Sequence, residues 1–290
     1  QSSDVRMAIE SNTSEGTAEH GQPGQFGPYY LHELINTGGM ADLWIATDAA
    51  GKTCAITRMH PRGFFDSMRK RFTNGCEILS HLHDHELVIG YLGHGKIDGC
   101  LYLAMEYLES SNLKQAIALG DERLSELAGN ILIDCATVLE YVHENGYMHL
   151  DFKPENVLLT RSGNIRLVDF DLAQERPEEP RKLPKNPGTP AYMAPEQILR
   201  QPVDHRVDIF AFGVAAYELL TFEKPFPGGS PDEVLKAQLD RTAFMKPREH
   251  NPAIPVRLEQ IVLKCLETLP DQRYPFTSVL LRDLQAALYV

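Results

Sequence analysis

The sequence predicts an α+β fold in two parts, a small antiparallel sheet with one helix followed by a larger, mainly helical region. Three observations carry that reading. Short β-like runs separated by turn residues fill residues 28–107, one helical stretch at 66–82 interrupts them, and helical spacing of apolar residues prevails over 108–290. At 290 residues and 43% apolar composition, the chain can bury a core large enough for one big domain or for two lobes sharing a cleft.

Residues 1–27 are rich in Ser, Gly, Glu, Gln and Thr and almost free of large apolar side chains, so a flexible N-terminal tail is expected there. Strands are expected at 30–34, 43–47, 53–59, 87–92 and 101–105, where β-branched, aromatic and aliphatic residues cluster between turns. Beyond Asn112 the periodicity predicts helices at 131–143, 208–220, 234–239, 258–268 and 277–288. Ser230-Pro231-Asp232-Glu233 is a helix start: Ser caps, Pro suits the first helical position, and Glu reaches back to the cap amide. The apolar run 209–220 contains Glu218 and falls short of the roughly 20 residues needed to span a bilayer, so it reads as a buried helix and no membrane segment is expected. No internal repeat is visible.

A net charge of −12 and a pI near 5.4 argue against nucleic acid or an anionic membrane surface as the main partner, because either would repel the chain at long range. Cys54, Cys76, Cys100, Cys135 and Cys265 are odd in number, scattered and without C-x-x-C spacing. A disulfide framework or zinc site is therefore not expected, and a reducing, cytoplasmic setting is. A chain that opens on Gln1 reads as a piece of a longer one.

The chemistry concentrates in two segments. His149-Leu150-Asp151-Phe152-Lys153-Pro154-Glu155-Asn156 and, after a short gap, Asp169-Phe170-Asp171 place carboxylates, a lysine and a carboxamide together on a loop and at a strand end. These segments resemble the eukaryotic-type protein kinase family, whose catalytic loop reads His-Arg-Asp-x-Lys-x-x-Asn and whose metal motif reads Asp-Phe-Gly. The resemblance runs over nearly everything after residue 28. Met105-Glu106-Tyr107-Leu108 is similar to the hinge between the lobes, and Gly188-Thr189-Pro190 through Ala194-Pro195-Glu196 to the end of the activation segment. Asp208 and Arg273 fill the positions that tie the catalytic loop to a core helix and pair with Glu196. Lys153 and Thr189 match the Ser/Thr branch.

The resemblance implies a two-lobed protein-kinase-like fold, with the small lobe at 28–107 and the large lobe at 108–290. It also implies roles. Asp151 would orient and deprotonate an acceptor hydroxyl, Lys153 would screen charge on the transferring group, and Asn156 with Asp169 would hold Mg. Gly38, Gly39, Ala55, Glu106, Leu108 and Leu158 would contact ATP. Phosphoryl transfer asks the protein for positioning and charge neutralisation more than for covalent chemistry, and each of these residue types serves one of those needs.

Other positions depart from the family. Its Val-Ala-Ile-Lys strand is Cys54-Ala55-Ile56-Thr57 here, so the lysine that grips the α- and β-phosphates is a neutral hydroxyl. Arg58 is adjacent, but strand side chains alternate faces and it should point away. Lys52 is five residues upstream, roughly 16 Å along a strand. Gly51-Lys52-Thr53 reads as a hairpin turn and not as a phosphate-binding loop. The helix position that carries the lysine's glutamate partner is Gly75, which either loosens the helix or admits a bulky neighbour; Glu77 faces elsewhere. Only the central glycine of the family's phosphate-covering loop survives in Asn36-Thr37-Gly38-Gly39-Met40-Ala41. Asp171, where the family has glycine, is either a third metal-site carboxylate or a solvent-exposed side chain.

Regulation reads from absences. Leu150 replaces the arginine that docks a phosphorylated activation loop, and residues 171–188 contain no Ser, Thr or Tyr. Residues 175–187 read as an extended, solvated loop rich in Pro and charge. His81, His83, His85 and His94 would diverge and are not expected to hold a metal, while His149 is expected to pack beside Phe170. The reading is a pseudokinase that binds Mg-ATP and acts through protein contacts; the alternative is an active Ser/Thr kinase with a non-standard phosphate anchor. A nucleotide and a protein substrate or partner are the expected ligands.

Overall fold

The computed structural model describes residues 21–61, 66–185 and 188–288. By packing, the chain divides into two units. The first takes the described residues up to Arg69 together with Tyr91–Tyr107; the second takes Lys70–Gly90 and everything described from Leu108 onward. The α+β expectation holds, with sheet in the first unit and mostly helix in the second.

The first unit is an antiparallel six-stranded sheet. Its strands are β1 (Gly24–Phe26), β2 (Tyr29–Thr37), β3 (Ala41–Thr47) and β4 (Thr53–Met59), then, after helix α1 (Asp66–Leu82), β5 (Tyr91–Ile97) and β6 (Cys100–Met105), in the spatial order β1-β2-β3-β4-β6-β5. The register sets Trp44 opposite Ile56, Ala46 opposite Cys54, and Ile56 opposite Ala104. Because side chains alternate, these residues share one face and close a core with Phe26 and Leu31. β1 lies inside the stretch expected to be tail: Phe26, its one large apolar residue, is buried in that core and draws the strand onto β2. Residues 1–20 of the expected tail lie outside the described residues.

The strand expected at 87–92 also differs. Leu87, Val88 and Ile89 are buried and bond to Leu167 in the second unit, through Leu167 N to Leu87 O at 2.7 Å and Ile89 N to Leu167 O at 3.1 Å. The sheet strand begins only at Tyr91. A continuous apolar run records burial but not the partner.

In the second unit, β7 (Ser110–Asn112) leads into α2 (Leu113–Ala118), where Asn112 and Gln115 form a reciprocal cap. There follow α3 (Leu124–Glu144), β8 (Tyr147–Met148), β9 (Val157–Thr160), β10 (Ile165–Leu167) and β11 (Gln174–Glu175). Short helix α4 (Pro195–Ile198) precedes α5 (Arg206–Thr221), which is buried along nearly its whole length as its all-round apolar sequence requires. The chain ends with α6 (Pro231–Leu239), α7 (Pro247–His250), α8 (Val256–Cys265) and α9 (Thr277–Leu288). Ser230 Oγ caps α6 by accepting from Glu233 N at 3.2 Å. The Glu233 carboxylate reaches Gly229 N at 2.6 Å, one residue before the expected cap amide.

Candidate active site

The catalytic loop follows β8 and is fixed from below by α5. The buried Asp208 carboxylate accepts from His149 N at 2.8 Å, Leu150 N at 2.9 Å and His143 Nε2 at 2.7 Å. Burial works to raise the Asp208 pKa, yet these bonds hold it below its usual value. Leu150 adopts φ +64°, a left-handed backbone uncommon for a non-glycine residue, and its side chain is buried. The His149 ring packs edge-on to Phe170 with centroids 5.1 Å apart. Its Nδ1 accepts from Asp151 N at 3.2 Å and its Nε2 donates to Val168 O at 3.2 Å, so both nitrogens serve the loop's backbone.

That scaffold presents Asp151. Its Oδ1 accepts from Thr189 Oγ1 at 3.2 Å and lies 3.7 Å from Lys153 Nζ, which itself donates to Thr189 Oγ1 at 2.7 Å. The Asn156 amide donates to Asp151 O at 2.8 Å and to Asp151 Oδ2 at 3.3 Å. Burial pushes the Asp151 carboxyl above the usual carboxylate range; Lys153 opposes the rise and Asp169 adds to it. A carboxylate with raised proton affinity, bonded to a hydroxyl, has the geometry of a general base.

Asp169 is exposed at φ +62°, and its Oδ1 accepts from Asp171 N at 3.1 Å. With the Asn156 NH2 turned to Asp151, the Asn156 carbonyl oxygen is the atom that it offers to a cation. A carboxylate and a carboxamide oxygen are the hard donors that Mg takes, so this pair fits the expected ion.

Asp171 is not a solvated side chain. It is half-buried against Gly75 of α1: a Cβ at 75 would stand 2.6 Å from Asp171 Oδ1 and 2.8 Å from Asp171 Cα. Of the two expectations for Gly75, the close neighbour is the one found, and α1 runs unbroken through it. Asn74 Nδ2 donates to Ala173 O at 3.2 Å, fastening the same turn of α1 to the segment after Asp169. Burial drives the Asp171 pKa well above its usual value, with Asp169 adding to the rise and Arg71 of α1 opposing it. Neither the contact nor Arg71 was foreseen; the signal was the coincidence of an added acid at 171 with a missing one at 75.

Within the first unit, Thr57 shares a face of β4 with Ala55, opposite Leu43 on β3 and Leu103 on β6. Arg58 is on the other face, 4% exposed, with its guanidinium 5.4 Å from the Phe26 ring centroid and 5.8 Å from that of Trp44. It is a core residue and not a substitute for the missing lysine. Gly38 N donates to Ala41 O at 2.9 Å in the turn between β2 and β3, and Gly39 has open space around it. Asp48 Oδ1 accepts from Ala50 N and Lys52 N, both at 2.9 Å, and Gly51 takes φ +77°, which makes 48–52 a hairpin turn. Glu106 follows β6. In the second unit, Leu158 lies on β9 and Leu108 O accepts from Ser110 Oγ at 3.1 Å.

The family profile described as protein kinase domain matches residues 29–284. This chain belongs to the eukaryotic-type Ser/Thr protein kinase family. It is 32% identical over 270 residues to a probable serine/threonine-protein kinase of Streptomyces coelicolor, covering 90% of this chain and 40% of that one. It is 30% identical to a tyrosine-protein kinase of Myxococcus xanthus, covering 91% of this chain and 43% of that one, and 29% identical to a probable serine/threonine-protein kinase of Corynebacterium glutamicum, covering 88% and 41%. The chain thus spans about two-fifths of the length of these relatives.

The activation segment of this kinase domain is tied down more than its composition implies. β11 pairs with β8, Arg176 N donates to Gly146 O at 2.8 Å, and Arg181 and Val203 exchange two backbone bonds of 3.0 and 2.8 Å. Arg200 Nη2 donates to Pro184 O at 3.1 Å, and Leu183 is buried. The expectation of an extended, solvated loop is met by exposure at most of residues 175–185, with Leu183 buried and the backbone tied down at 176 and 181. At the segment's end, the buried Glu196 carboxylate takes both Arg273 nitrogens at 2.6 and 2.9 Å. Tyr192 Oη donates to Glu218 Oε2 at 2.5 Å, and Lys114 pairs with the same carboxylate. Among the described residues, no helix is long and apolar enough to cross a membrane.

Proposed function

We propose that this kinase-family domain binds Mg-ATP through its catalytic loop and metal motif, transfers the γ-phosphoryl group weakly, and signals through protein contacts. The reading rests on one observation above the others: the Asp151–Thr189–Lys153–Asn156 network is assembled, yet a carboxyl group fills the space at Gly75 and Thr57 carries no charge. Asp151 orients an acceptor hydroxyl and takes its proton, Lys153 screens the transferring group, and Asn156 with Asp169 holds Mg, which when bound neutralises phosphate charge. The nucleotide contacts of Gly38, Gly39, Ala55, Glu106, Leu108 and Leu158 are carried into this proposal on the resemblance alone. Loss of one preorganised charge-stabilising donor costs on the order of 10² to 10³ in rate, which places standard catalysis in doubt without removing nucleotide binding.

The alternative is an active Ser/Thr kinase with a different phosphate anchor, and the cation beside Asp171 favours it. Incubation with labelled ATP, Mg and generic protein substrates separates the two. Transfer near background in the unmodified domain, together with a nucleotide-induced thermal shift that Asp169→Ala abolishes, supports the impaired domain. Brisk transfer abolished by both Asp151→Asn and Asp169→Ala would establish the active kinase.

A further inference from the structure

Two departures from the family pattern meet in space. An ideal Cβ at position 75 would stand 2.6 Å from Asp171 Oδ1, 2.8 Å from Asp171 Cα and 2.9 Å from Asp171 N. No side chain can be carried at 75 while Asp171 holds this place. The carboxylate has in effect changed elements: α1 lacks it, and the residue two beyond Asp169 brings one to the same spot. The Asn74–Ala173 hydrogen bond keeps the two segments in register.

Arg71 precedes Gly75 by four residues and so lies on the same face of α1, one turn earlier. It is half-buried, and its charge favours the ionised form of Asp171. Among the described residues, no hydrogen bond or ion pair engages its guanidinium. Asp171 N donates to Asp169 Oδ1 at 3.1 Å, so the stretch of α1 that includes Gly75 and, one turn earlier, Arg71 packs against the segment that carries the residue read above as metal ligand. A guanidinium offers five donors in a planar fork that matches phosphate oxygens, and it keeps its charge when desolvated.

We propose that Arg71, one turn before Gly75 on the face of α1 that packs against Asp171, is the cation this domain offers to the phosphates of a nucleoside di- or triphosphate, in the role of the lysine replaced by Thr57. The proposal rests on the Mg-nucleotide reading and deepens it by naming the group that contacts phosphate. Arg71 touches the ligand, and Asp171 is a positioning residue that acts through it.

Equilibrium binding of MgADP and of adenosine to the whole domain tests this, with thermal unfolding of each variant as a check on folding. Arg71→Ala is expected to weaken MgADP about tenfold or more while leaving adenosine within about twofold, since charge-assisted bonds to phosphate are lost and base contacts are not. Arg71→Lys should recover part of the loss, and Asp171→Asn should weaken MgADP with adenosine unchanged. An Arg71→Ala variant that binds MgADP like the unmodified domain, or that loses both ligands in parallel, overturns the proposal and leaves the nucleotide reading standing. An unmodified domain that takes up neither ligand at millimolar concentration overturns both.

Discussion

Around Asp151 the second unit holds its polar side chains in a closed set of hydrogen bonds, whereas β4 of the first unit presents a neutral Thr57 and turns Arg58 into an aromatic core. The two regions began, by the family pattern, with comparable chemical duties. The hydrogen-bonded region keeps its family residues, and two of them, Asp208 and His149, hold the loop's backbone. A strand lysine has no comparable duty to the sheet. Its replacement by Thr costs the fold little, and the register of β3, β4 and β6 is undisturbed.

The contrast can be broken hardest from the hydrogen-bonded side. Asp208→Ala leaves His149 N, Leu150 N and the His143 ring without their acceptor, and is expected to cost about 3–5 kcal/mol in urea unfolding. Refilling the depleted side is the next test. Thr57→Lys alone should raise labelled phosphoryl transfer less than about threefold, while Thr57→Lys with Gly75→Glu and Asp171→Gly should raise it by about 10² or more. Failure of the triple variant to exceed the single one would mean that the depletion is not what limits transfer.

Smaller effects sharpen the comparison. Gly75→Ala should destabilise by about 1–3 kcal/mol through overpacking against Asp171, and an Asp171→Gly background should relieve only the part owed to the carboxylate, since the backbone N and Cα of residue 171 stay close, read by a double-mutant cycle. The depressed pKa of Asp208 contributes stability that is fully present above the unfolded carboxylate value, about 3.9, and is lost as pH falls through the lower folded value. The stability gap between the unmodified domain and Asp208→Asn should therefore be constant above about pH 5 and narrow in acid. Ser230→Ala, at the cap of α6, should cost about 1 kcal/mol.

Much of this was legible in sequence where residues recur in fixed order along one loop. The catalytic loop and the Glu196–Arg273 pair were implied by the family resemblance, and the opposite facing of Thr57 and Arg58 follows from strand alternation. What escaped was contact between segments far apart in the chain. Gly75 and Asp171 are each ambiguous alone, and only their distance turns two oddities into one exchange. β1 escaped because a single Phe26 among polar residues gives no periodicity, though its burial in the sheet core fixes the strand. The clamped activation segment escaped because backbone bonds such as Arg181 to Val203 leave no trace in side-chain composition.

That clamp has a consequence for control. A stretch without a hydroxyl to esterify gives an upstream kinase nothing to write and a phosphatase nothing to erase. Whatever orders or releases residues 171–188 therefore acts through contacts, such as those of Arg176 and Arg181, and not through an ester written on the stretch itself.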